Sequence, residues 1–238
     1  MATFVLVHGA WHGGWCWARV RRMLADRGHE VFAPTLSGVA DRSHLLSRDV
    51  DLQHHIDDVA GLIEREGLAA VILCGHSYGG CVISGVGDAL PDRIAALVYI
   101  DAFVPEDGQS LHDLLPPQQR QLYLKLAAQY GDGWRVPPIP AQVFNVNPGD
   151  REWVDRQCTP QPLATFEQPI RLGDGLSRIS RNHFIRASGW EETPFNASFE
   201  LAKSRRWTTS EIACGHDVML DRPDDLAAEL IGVADSLD

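Results

Sequence analysis

No two cysteines of this chain form a C-x-x-C pair, and the five present, Cys16, Cys74, Cys81, Cys158 and Cys214, are odd in number and widely spaced. That pattern speaks against a disulfide framework and against a zinc site, and it suits a reducing compartment. Basic residues are in deficit as well. Lys+Arg 21 against Asp+Glu 32 leaves a net charge of −11, which argues against nucleic acid or an anionic membrane as partner. Long apolar runs are missing, and Met1-Ala2-Thr3 leads directly into Phe4-Val5-Leu6-Val7 without a basic leader segment, so the chain reads as cytoplasmic. Without a secretory route, the Asn196-Ala197-Ser198 glycosylation pattern carries no meaning. The local bunching of Arg19, Arg21, Arg22 and Arg27 fits the wet face of a helix.

What is present is ordinary globular usage: 238 residues, 45% hydrophobic and 22% charged. A chain of this length can bury roughly 70–75% of the surface that its unfolded form exposes, enough for a core without staples. Short apolar runs recur at Thr3 to Val7, Val31 to Ala33, Ala69 to Cys74, Ala95 to Ile100, His183 to Ala187 and Trp207 to Ala213, predicting strands. Helical patterns separate them. Trp17, Val20 and Leu24 share a face and end at Gly28; Leu52, Ile56, Val59 and Ile63 share another and end at Gly67. A last helix starts at Pro223 and buries Leu226, Leu230, Val233 and Leu237. Alternating apolar strands and helices predict an α/β fold, a mostly parallel six-stranded sheet with helices on both faces. Residues 102–180 break the rhythm with prolines, glutamines and aromatics and carry a helical pattern over Gln118 to Tyr130. The expected division is a core of residues 1–101 and 181–238 with a helical cap inserted at 102–180.

The chemistry centres on Gly75-His76-Ser77-Tyr78-Gly79, which follows the run Val71 to Cys74 and precedes the small-residue helix pattern Gly80 to Leu90. Strand, G-x-S-x-G and helix in that order form a nucleophile elbow, so Ser77 is the expected nucleophile. A serine hydroxyl needs a base. Ten histidines compete, and His216 is selected because Cys214-Gly215-His216-Asp217 falls between the last strand and the last helix, where chains with this elbow carry their histidine. His29, His44, His54, His55 and His112 are expected to be solvated. The oxyanion needs two main-chain donors, assigned to the N–H of Tyr78 and the N–H of Ala10 in the loop after the first strand. That loop is not a dinucleotide cradle: G-x-G-x-x-G is absent, and the second strand ends Phe32-Ala33-Pro34 without the acid that would hold a ribose. No cofactor and no metal are expected.

Three segments together, Phe4 to Trp15 with His8-Gly9-Ala10-Trp11-His12-Gly13-Gly14, Gly75 to Gly80, and Gly215-His216 with Asp221-Arg222-Pro223, resemble the α/β-hydrolase superfamily. The likeness is to the branch of methylesterases and hydroxynitrile lyases, and it extends to Thr159-Pro160-Gln161-Pro162-Leu163 in the cap. The resemblance implies an α/β-hydrolase fold and ester hydrolysis through an acyl-enzyme, with a capped apolar pocket to which Trp134 is a candidate contributor. It also implies an acid after the fifth strand, but there Trp190 occupies the acid's place. Two carboxylates are open as substitutes. Glu191 is one residue off; Asp101, after Ile100, matches other α/β-hydrolases such as haloalkane dehalogenases and is favoured. The lyase branch is disfavoured because its lysine after the histidine is Asp217 here, Lys125 and Lys203 are the only lysines, and its threonine is Gly9.

The expectation is a serine-dependent carboxylic ester hydrolase for small to medium apolar esters, thioesters or lactones, with Ser77, His216 and Asp101 as triad. Two other readings stand beside it: a lyase or cyclase using Ser77 and His216 as acid and base, and a small-molecule binding protein with a weakened triad.

Overall fold

The computed structural model describes residues 1–190 and 193–237. Its first half runs β1 (Thr3–Val7), α1 (Ala18–Asp26), β2 (Glu30–Phe32), α2 (Leu52–Arg65), β3 (Val71–His76), α3 (Gly79–Ala89) and β4 (Ile94–Ile100). The long stretch that follows holds α4 (Leu111–Leu114), α5 (Pro117–Tyr130), β5 (Arg135–Val136), α6 (Arg151–Gln157), β6 (Gln161–Pro162) and α7 (Ala164–Glu167). The chain then completes the sheet with β7 (Asn182–Ala187), α8 (Asn196–Ser204), β8 (Thr208–Ile212), α9 (Val218–Asp221) and α10 (Pro223–Asp235).

The six strands expected from the apolar runs form one parallel sheet in the order β2-β1-β3-β4-β7-β8. Every residue of β3 is buried, as a central parallel strand covered on both faces requires. Helix ends follow local chemistry. The Asp51 carboxylate caps α2 by accepting from the His54 N–H at 3.0 Å, and α1 and α2 stop where Gly28 and Gly67 turn to φ +81° and +63°. Helices α1 and α10 pack together, as do α2 and α3. The latter contact is close because Gly85 has no side chain: a Cβ there would meet Ile56 at 2.3 Å.

The strand order reverses between β1 and β3, and the loops at the carboxyl ends of these two strands form the crevice where open α/β sheets place ligands. Residues from the stretch after β4 lie over that crevice. β5 and β6 form a small antiparallel ribbon that grips Trp11: the Trp11 indole N–H donates to the Val136 carbonyl at 3.0 Å, and its main-chain N–H donates to Gln161 Oε1 at 3.1 Å. Arg19, on the exposed face of α1, makes a two-pronged bond to Asp150 with both distances 2.7 Å. No helix among the described residues is long and apolar enough to cross a membrane.

Candidate active site

Between the end of β3 and the start of α3, Ser77 adopts φ +55°. The left-handed region costs an L-residue about 1–2 kcal/mol and turns the side chain out above the sheet edge. The turn is tight enough that a Cβ on Gly75 would lie 2.5 Å from the Gly79 carbonyl oxygen, and one on Gly79 would lie 2.8 Å from those of Val7 and His8. Glycine at both positions is therefore a packing requirement. The Ser77 N–H donates to the Ile100 carbonyl at 3.3 Å, and the Ser77 carbonyl accepts from the N–H groups of Gly80 and Phe103, each at 3.1 Å.

His216 lies in the loop between β8 and α9, its N–H donating to the Phe144 carbonyl at 2.9 Å and its own carbonyl accepting from His76 Nε2 at 3.0 Å. Its ring Nδ1 donates to Asp101 Oδ2 at 2.7 Å. Asp101 is fully buried just past the end of β4, with φ +42°. Its N–H donates to the Ile185 carbonyl at 2.7 Å, and its second oxygen accepts from the Ala187 N–H at 3.2 Å, so the neighbouring strand β7 orients the carboxylate. Glu191, the other carboxylate open from the sequence, lies outside the described residues. Trp190 contributes an aromatic wall instead of an acid: its ring centroid is 5.4 Å from that of His216, while Phe195 stacks on His216 at 4.6 Å and 8°.

Ser77, His216, Ala10 and Tyr78 line one narrow pocket, whose walls also include Trp11, Tyr123, Phe144, Phe166, Trp190 and Phe195. Among the described residues the N–H groups of Ala10 and Tyr78 donate to no protein acceptor, and no hydrogen bond joins Ser77 Oγ to His216. Hydrogen bonds of this kind tighten as substrate is positioned. Trp134 departs from expectation: it is not in the cavity wall, and the guanidinium groups of Arg48 and Arg135 each lie 5.3 Å from its ring centroid.

Two histidines expected in solvent are buried. His55 lines up on the inner face of α2, its Nε2 donating to the Ser37 carbonyl at 2.8 Å and its Nδ1 accepting from the Tyr78 hydroxyl at 2.9 Å. Burial brings its pKa down to about 4, so it is neutral and can accept that proton. His112, half-turned toward Phe166, is likewise buried and lowered to about 4, chiefly by desolvation. His55 finds its partners, Ser37 and Tyr78, elsewhere in the chain, where a local pattern does not reach, and His112 is covered by aromatic neighbours such as Phe166.

A second buried His–Asp pair sits behind the first. His12 Nε2 lies 3.1 Å from Asp217 Oδ2, and His12 Nδ1 lies 2.8 Å from the Ala10 carbonyl oxygen. Nothing in the sequence patterns singled out His12, although it is two residues from Ala10, and Asp217 drew notice only as the missing lysine. The possible ligand atoms of His76, His216 and Asp217 fall within 4.8 Å of one another, but His76 Nε2–H is directed at a carbonyl, Asp217 is engaged by His12, and His216 by Asp101.

Comparison with known proteins agrees with the geometry. The alpha/beta hydrolase family model matches residues 4–229. A carbendazim hydrolyzing esterase from a Nocardioides species is 46% identical, over 97% of this chain and 98% of that protein. Methylesterase 2 of Arabidopsis thaliana is 35% identical, over 45% of this chain and 41% of its own length. Among solved structures, an extracellular alpha/beta-hydrolase from a Paenibacillus species superposes with a TM-score of 0.86 at 24% identity, over 98% of this chain and 99% of that one, a likeness of fold. The chain belongs to the alpha/beta hydrolase family, and within it to the esterases.

Proposed function

We propose that this hydrolase cleaves small to medium apolar esters through an acyl-enzyme on Ser77, with His216 as base, Asp101 as its orienting acid, and the Ala10 and Tyr78 N–H groups as oxyanion hole. The observation that carries the reading is the 2.7 Å bond from His216 Nδ1 to a fully buried Asp101, with Ser77 on the same cavity. With Nδ1 protonated and held, Nε2 is left with its lone pair, the tautomer a general base needs.

Nε2 takes the proton of Ser77 Oγ as the oxygen attacks the ester carbonyl carbon, and the two N–H groups stabilise the charge on the carbonyl oxygen. Collapse expels the alkoxide, which takes the proton from Nε2. Water then enters, gives its proton to Nε2 and attacks the acyl carbon; a second collapse frees the acid and returns the proton to Ser77. Thioesters and lactones offer the same electrophile.

Aromatic walls support a flat or short apolar substrate, and residues 102–180 serve as the cap over it. Because a relative of 46% identity hydrolyses carbendazim, that compound is the first to test beyond model esters. The five free thiols, Cys16, Cys74 and Cys81 among them buried, support a reducing, cytoplasmic setting. Two observations count against lyase chemistry: Asp217 is paired with His12, and a side chain at Gly9 would meet His76 Nδ1 and Ser77 Cβ at 2.9 Å.

The test is steady-state hydrolysis of p-nitrophenyl acetate, p-nitrophenyl butyrate and carbendazim by wild type and Ser77→Ala, with fluorophosphonate labelling of both. Turnover in the wild type, its loss by at least about 10³-fold in Ser77→Ala, and labelling only of the wild type are expected. A Ser77→Ala protein that turns over like wild type would refute it.

A further inference from the structure

We propose that His12 and Asp217 are positioning residues: a buried imidazolium–carboxylate pair that locks the oxyanion loop to the loop bearing His216. The proposal rests on the serine-esterase reading above.

Connectivity comes first. Asp217 directly follows His216, and His12 lies two residues after Ala10. One hydrogen bond from His12 Nδ1 to the Ala10 carbonyl, 2.8 Å, and one from His12 Nε2 to Asp217 Oδ2, 3.1 Å, therefore join the two loops through a single ring. These loops carry the oxyanion donor and the base, whose relative placement sets the reacting geometry.

The charge state follows from the partners. A carbonyl oxygen only accepts, so His12 Nδ1 carries a proton; Asp217 as carboxylate also only accepts, so Nε2 carries another. Both residues are buried, His12 at 3% and Asp217 at 0% exposure. Burial works against either charge, but the attraction and hydrogen bond between them prevail, raising the His12 pKa and holding Asp217 below the usual carboxylate range. The surrounding titratable groups are His8, His76 and His216, with the thiols of Cys16 and Cys158 on the Asp217 side; burial holds His8 and His76 neutral. Trp15 stacks on the His12 ring at 5.1 Å and fixes its plane.

A buried ion pair contributes little net stability compared with apolar residues of the same shape, so a purely stabilising role would not favour it. Its directional bonds do suit placement of two loops. The reacting bonds form elsewhere: neither His12 nor Asp217 lines the pocket.

The experiment has two arms. In wild-type protein with ¹⁵N-labelled histidine, NMR at pH 7 should show both ring nitrogens of His12 protonated. In His12→Gln and Asp217→Asn, kcat for p-nitrophenyl butyrate per fluorophosphonate-titrated site should fall about 10- to 100-fold, as expected for small misplacement of reacting groups, with KM little changed. The double variant should be no slower than the worse single, because both break one link. A neutral His12 ring at pH 7 overturns the proposal, and so does unchanged kcat per titrated site accompanied only by a lower melting temperature. Should a variant fail to fold, the NMR arm decides. If wild type itself hydrolyses no ester, the esterase reading fails, while an active wild type with fully active variants removes only this proposal.

Discussion

Replacing Asp101 by Asn keeps the side-chain shape and removes the charge beside His216. The Ala187 N–H, which donates to Asp101 Oδ1 at 3.2 Å, will draw the amide oxygen of the variant toward itself. That leaves the NH₂ group facing His216 Nδ1, where the wild-type carboxylate accepts at 2.7 Å. Nδ1 must then accept, Nε2 takes the ring proton, and the histidine can no longer accept from Ser77. The charge is lost too: two unit charges 4 Å apart at an effective dielectric of 20 attract by about 4 kcal/mol, and each 1.36 kcal/mol is about tenfold in rate. The two effects overlap, so kcat should fall about 10³- to 10⁴-fold, the scale of the same substitution in other serine hydrolases. The assay is p-nitrophenyl butyrate hydrolysis at pH 8 per correctly folded molecule, with circular dichroism confirming the fold. An Asp101→Asn enzyme within fivefold of wild type, beside an inactive Ser77→Ala, would refute the assignment, and Glu191→Gln would be the next variant to measure.

Three further outcomes are expected. Gly9→Ala should destabilise the protein by about 1–3 kcal/mol in urea denaturation and lower kcat, because its Cβ meets His76 Nδ1 and Ser77 Cβ at 2.9 Å; an unchanged midpoint and rate would contradict that packing. Trp190→Ala should raise kcat/KM for longer acyl chains relative to acetate by opening one cavity wall, and an unchanged acetate-to-hexanoate ratio would place Trp190 away from the acyl group. His55 has a folded pKa of about 4, below the unfolded value near 6.5, so the unfolded chain binds its proton first as pH falls. Stability should therefore decline between pH 6.5 and 4, by about 3 kcal/mol from this residue, and His55→Gln, which can make both hydrogen bonds, should flatten part of that slope. An identical slope would show that His55 is not the linked group.

Features that depend on contiguous residues were legible in the sequence. Each of the six strands overlaps one of the apolar runs, α1 and α2 end at Gly28 and Gly67, and α10 starts at Pro223, because propensity, periodicity and glycine geometry act within a few positions. The serine turn was legible for the same reason: Gly75, Ser77 and Gly79 form a strained strand-to-helix bend whose sterics are local. Family membership followed from three such local segments. The partners of polar groups were not legible. Asp101 and His216 are 115 residues apart and meet because β4, β7 and β8 lie side by side, an order the sequence alone leaves open, so that two carboxylates compete for one role. His12 and Asp217, 205 residues apart, gave no local signal at all. Local pattern does not distinguish buried His55 and His112 from solvated histidines, nor Trp134, which lies near the guanidinium groups of Arg48 and Arg135, from an aromatic of the pocket wall. Backbone preference and hydrophobic periodicity are encoded residue by residue, so sequence alone determined the fold and the turn that carries Ser77. Which buried charge faces which depends on strand order and loop closure, and that only the tertiary structure decided.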